Sequence, residues 1–121
     1  MMRRTAALLL GLLALPGAAK DPLAGRTAGA PVRCINDSVA SSGPTIVDEH
    51  TIMYSQTGRR VWIVHPVGAC PSLRPLNTLV IEKWGGQTCA NDRFRVLEPG
   101  TTIPSAYCRF GEFIPYDKPR R

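Results

Sequence analysis

Aromatic residues and histidine are scarce in this chain: aromatics make up 7% of 121 residues, and there are only 2 His. No apolar stretch approaches the roughly 20 residues a helix needs to cross a hydrocarbon core, which argues against a permanent transmembrane anchor. There is no Gly-x-Ser-x-Gly elbow, no His-Glu-x-x-His, no phosphate-cradling Gly-rich loop and no dinucleotide fingerprint. Close cysteine pairs are missing too. The gaps between Cys34, Cys70, Cys89 and Cys108 are 36, 19 and 19 residues, so no short turn sets two thiolates against one zinc ion. Basic residues exceed acidic ones, 15 to 9, but they are scattered, without the basic stripe and interleaved aromatics of a nucleic-acid surface. No nucleic-acid partner and no cofactor are expected.

What is present begins with a basic start, Met1 to Arg4, followed by an apolar run from Ala6 to Leu15 that breaks at Pro16-Gly17. This is the pattern of a secretory signal peptide, and small residues at Gly17 and Ala19 place the cut after Ala19. Residues 1–19 carry Arg3 and Arg4 but no acid, so the mature chain keeps 13 of the 15 basic residues and all 9 acidic ones, a balance of +4. Such a balance allows weak attraction to anionic envelope surfaces. Export to the periplasm or beyond puts an even number of cysteines in an oxidising compartment, which predicts two disulfides. A mature chain of about 100 residues holds one small domain that buries only about two-thirds of its surface, so cross-links contribute much of its stability. The expected pairing is Cys34 with Cys108, tying the first strand to the last, and Cys70 with Cys89, bracing the segment between them.

Residues 20–32 contain Asp21-Pro22, Gly25, Gly29 and Ala30-Pro31 with almost no large apolar side chain, and are expected to form a flexible leader. From Arg33 the composition shifts to short runs rich in Val, Ile, Thr, Tyr, Phe and Trp, separated by Gly and Pro turn formers. Strands are predicted at Arg33 to Asn36, Ile46 to Tyr54, Arg60 to His65, Thr78 to Lys83, Arg93 to Leu97 and Ala106 to Ile114. The predicted fold is all-β: a small antiparallel barrel or sandwich of five to six strands over residues 33–116, stapled by two disulfides. A basic tail, 117–121, follows.

A two-residue turn at Thr57-Gly58 predicts Gln56 opposite Arg59, and hence His50 opposite His65. Directly opposed residues stand about 4.5–5.5 Å apart at Cβ, near enough for two imidazoles to share a metal ion, with Asp48 as a third ligand. The competing reading makes both histidines half-exposed polar caps on the hairpin.

Each cysteine opens a short phrase: Cys34-Ile35, Cys70-Pro71-Ser72-Leu73, Cys89-Ala90-Asn91-Asp92 and Cys108-Arg109-Phe110-Gly111-Glu112-Phe113. With the stretch from Asp48 to Tyr54, this order resembles a family of small exported, four-cysteine proteobacterial proteins of unknown function. The resemblance spans Arg33 to about Pro115. It implies an envelope location and a cysteine-stapled domain, and brings no activity, cofactor or catalytic residue.

Asp92, beside Cys89, is a candidate acid, although an Asp at a strand start more often binds nearby backbone amides. Arg93 and Arg95 share one strand face opposite Phe94 and Val96, where they can grip a carboxylate or phosphate or, equally well, form a solvated outer face. Trp62 and Trp84 are expected in the core rather than as stacking platforms. The sequence therefore points to an exported non-catalytic domain that binds an envelope ligand or protein. A metal-binding protein using His50 and His65, and a small hydrolase with Asp92 as its acid, are the alternatives.

Overall fold

The computed structural model describes residues 21–39, 43–56 and 58–119; the signal-peptide expectation at 1–19 lies outside them. Among the described residues there is no helix, and none long and apolar enough to cross a membrane. Nine strands form: β1 (Thr27–Ala28), β2 (Cys34–Asn36), β3 (Pro44–Asp48), β4 (Thr51–Ser55), β5 (Arg60–Pro66), β6 (Thr78–Ile81), β7 (Gln87–Cys89), β8 (Arg93–Leu97) and β9 (Cys108–Asp117). Seven make a nearly closed antiparallel barrel-shaped sheet in the order β3-β4-β5-β9-β8-β6, with β1 also on β9, while β2 and β7 pair separately. The all-β, disulfide-stapled expectation holds.

The core follows from strand alternation. Ile52 and Tyr54 on β4 lie directly opposite Val64 and Trp62 on β5, and all four are buried. Phe94 and Val96 on β8 project inward beside Phe110 and Phe113 on β9, with Phe94 and Phe110 centroids 4.5 Å apart and Phe110 and Phe113 5.8 Å apart. Burial pushes the Tyr54 phenol well above its ordinary range, helped by the negative charge of Asp37.

Phe110 and Phe113 are three positions apart, so unbroken alternation would send one of them outward. A β-bulge prevents this. Val64 pairs with Phe113 and Pro66 with Phe110, so His65 alone faces both Gly111 and Glu112. The extra residue shifts the phase and lets both rings enter the core.

Several expectations are corrected. The single strand from Ile46 to Tyr54 is a hairpin, because the Asp48 carboxylate accepts the His50 amide N–H at 2.8 Å and turns the chain through Glu49. The segment expected as a flexible leader carries β1, which pairs with Tyr116 and Asp117, and Gly29 and Val32 continue along β9 by donating to the Pro115 and Phe113 carbonyls at 2.7 and 2.8 Å. Main-chain pairing needs no large side chain, which is why composition concealed it. Two short strands, β1 and β7, were unforeseen.

The disulfides pair Cys34 with Cys89 and Cys70 with Cys108, not Cys34 with Cys108 and Cys70 with Cys89. Cys34 and Cys89 are directly opposed in the β2–β7 ladder with Cα atoms 4.0 Å apart, so the ladder sets that bond. The second bond ties the loop after β5 to the start of β9, where Cys70 is buried against the core.

Candidate functional site

The predicted histidine pairing is one residue out of register. Ser55 faces Val61, Tyr54 faces Trp62 and Met53 faces Ile63, and the Gln56 amide reaches the Arg60 carbonyl at 3.2 Å. The Gln56–Arg60 pair therefore encloses a loop of three residues, 57–59, with Gly58 at φ +98°; Thr57, half of the predicted turn, lies outside the described residues. A one-residue slip sets the other face of β5 against Ile52 and Tyr54, and it breaks the imidazole pairing. His65 instead sets its Nδ1 2.7 Å from the His50 carbonyl oxygen, and the exposed His50 ring lies 3.6 Å from Glu49. Asp48 is engaged at the turn. Among the described residues no three His, Cys, Asp or Glu side chains gather as a metal would require.

Asp92 sits where backbone capping explains it. Its carboxylate accepts the Cys89 amide at 2.8 Å, its own amide donates to the Cys89 carbonyl at 3.0 Å, and Asn91 between them is left-handed at φ +73°. Trp62 is in the core, with its indole N–H donating to Gln56 Oε1 at 2.8 Å. Trp84 corrects the expectation: it is 74% exposed, beside the Gly85-Gly86 turn.

Arg93 and Arg95 belong to a larger constellation. Phe94 and Val96 face the core, so alternation puts both arginines on the outer face of β8. The β6–β8–β9 registers then build two rows. Val80 on β6 lies opposite Arg95, and Tyr107, just before β9, closes on Arg95 from the other side. The second row runs through Glu82, whose amide donates to the Arg93 carbonyl, then Arg93 and Arg109, which are directly opposed.

Side chains knit these rows together. The Arg93 and Arg95 guanidinium carbons lie 4.2 and 4.1 Å from the centre of the Tyr107 ring, as cation–π contacts. Arg95 Nη2 donates to the Tyr107 hydroxyl at 2.7 Å, and that hydroxyl donates to Glu82 Oε2 at 2.8 Å. Arg93 Nη2 reaches Glu82 Oε1 at 3.1 Å. The Tyr107 hydrogen bond, followed by the charges of Arg93 and Arg95, holds the Glu82 carboxyl below the usual carboxylate range. Arg93 thus pairs with the Glu82 carboxylate directly and Arg95 reaches it through the Tyr107 hydroxyl. Like charges directly opposed across a ladder destabilise it, so the Arg93–Arg109 pair is a place where an added anion is favoured.

Tyr107, Glu82 and Arg109 were not foreseen as site residues. Only the antiparallel register carries that information: once Phe94 is set against Cys108, the outward positions 93, 95, 107 and 109 must cluster. No protein-family model, no curated protein and no solved structure matches the chain.

Proposed function

We propose that the chain is an exported, non-catalytic binding domain of the envelope, periplasmic or extracellular, that takes an anionic ligand on the outer face of β6, β8 and β9. The observation that carries this reading is the excess of guanidinium over carboxylate on that face, with Arg93 directly opposite Arg109 and both Arg93 and Arg95 held against Tyr107. The site is built on strands whose inner residues, Phe94, Val96 and Phe110, are fully packed, so its geometry is fixed before a ligand arrives. The two disulfides suit an oxidising compartment, and the resemblance to small exported four-cysteine proteins supports the same location.

The test is amide-shift mapping on isotope-labelled, oxidised protein titrated with fractionated extract of its native compartment. Shifts concentrated at residues 80–82, 93–95 and 107–109, reversed by salt, are expected. Shifts centred on His50 and His65, or a hydrolytic activity lost in Asp92→Asn with folding unchanged, would overturn the reading.

A further inference from the structure

Trp84 lies outside the site described so far and is 74% exposed. Its position is defined by the turn that follows β6. Trp84 bridges to Gln87, which places Lys83 level with Thr88. Thr88 is buried, and the exposed Lys83 side chain reaches its hydroxyl at 3.2 Å while pairing with Asp37. Trp84 itself is exposed and follows Glu82 by two residues, just past the end of β6 at Ile81. Two residues span at most about 7 Å, so the Trp84 backbone lies within that distance of Glu82, whose amide pairs with Arg93.

We infer that this outer face is a receptor for an acidic saccharide, with a sugar ring stacked on Trp84 and its carboxylate held by Arg93 and Arg109. The inference rests on the binding reading above and names its ligand class. Two features of the face select this occupant. The first is charge: Arg93, Arg95 and Arg109 cluster here, and the Glu82 carboxylate beside them is already engaged by Tyr107 and Arg93. The second is the division of labour between the aromatic rings. Tyr107 is committed to two guanidiniums and acts as a positioning residue for them, whereas the 74% exposed indole of Trp84 offers a flat apolar surface for the C–H face of a sugar. A plain polyanion would use the arginines and leave the indole idle; a neutral sugar would use the indole and leave the like-charged arginine pair unrelieved. An acidic sugar engages both.

Tryptophan emission reports binding, because Trp62 is 8% exposed and hydrogen-bonded while Trp84 faces solvent. Full-length mature, oxidised protein is titrated with oligogalacturonate, with a neutral galactose oligomer of the same length, and with an oligoglutamate of the same charge. Oligogalacturonate is expected to shift the emission and to bind about tenfold or more tightly than either control. Trp84→Ala and Arg109→Ala are expected to weaken it by about tenfold each, with Arg109→Lys intermediate. Neither position is a folding risk, since Trp84 and Arg109 are both exposed; calorimetry by titration covers Trp84→Ala, which lacks the fluorophore. Oligoglutamate binding as tightly, with shifts on the same face, overturns the saccharide and keeps the anion-binding face. Unchanged affinity in Trp84→Ala also overturns it. If no probe binds, the saccharide is overturned, and the extract titration decides the binding reading separately.

Discussion

Replacing Gly111 by alanine tests the bulge that lets both core phenylalanines point inward. A Cβ built at Gly111 falls 2.6 Å from the backbone carbonyl oxygen of His65, whereas ordinary contact begins at 3.4 Å, a shortfall of 0.8 Å. The obstruction is main chain on a neighbouring strand, so no side-chain rotation relieves it. β5 and β9 must part where Val64, Phe110 and Phe113 are fully buried on either side. Overpacking of this kind costs about 1–3 kcal/mol, and the absence of any soft neighbour places Gly111→Ala near the upper end, about 2–3 kcal/mol. For a domain of this size each kcal/mol moves Tm by about 4–8 °C, so a fall of about 10–20 °C is expected. Gly86→Ala is the matched control: nothing lies within 4 Å of its added Cβ and its φ is not left-handed. It should leave Tm unchanged or raise it slightly. Calorimetry on both oxidised variants decides the matter. Equal midpoints would refute the bulge geometry and, with it, the reason Phe110 and Phe113 share the core.

Non-reducing peptide mapping should join Cys34 to Cys89 and Cys70 to Cys108; opening either bond, which closes loops of 55 and 38 residues, should cost about 4 kcal/mol in the chain-entropy account. Leu76 is 89% exposed at φ +79°, following Pro75 in a turn closed by the Asn77 amide on the Arg74 carbonyl, so Leu76→Gly or Leu76→Asn should raise stability by up to about 1 kcal/mol, measured by urea unfolding. Asp117, held bidentate by Arg60 at 2.7 and 2.8 Å, has its carboxyl lowered chiefly by that hydrogen bond, as Glu82 has by Tyr107. A depressed folded-state pKa gives stability that is full above the ordinary carboxylate range and is lost as pH falls through the lowered value. The urea midpoint should therefore hold steady from pH 7 to about pH 5 and decline below about pH 4, less steeply in Asp117→Asn.

Local chemistry fixed much of this protein before any contact was known. Alternating Val, Ile and aromatic runs broken by Gly and Pro determined the all-β class, because a period of two can bury only one face of a strand. Arg93 to Leu97 shows this most directly: Phe94 and Val96 are core and the two arginines are outside, as the pattern requires. The even cysteine number determined that thiols would pair. It did not determine the partners, since two cysteines bond where the strand order brings them together, and β7, which sets Cys89 against Cys34, has too few residues to announce itself. The histidine register failed for a related reason. A loop of three residues instead of two leaves the composition of both strands unchanged and sets the other face of β5 against Ile52 and Tyr54. The candidate site was legible in half: Arg93 and Arg95 share a face by sequence spacing alone, but Tyr107, Arg109 and Glu82 come from other strands. Only the antiparallel ladders, whose registers are set by burying Phe94, Phe110 and Phe113 in one core, place those side chains beside them.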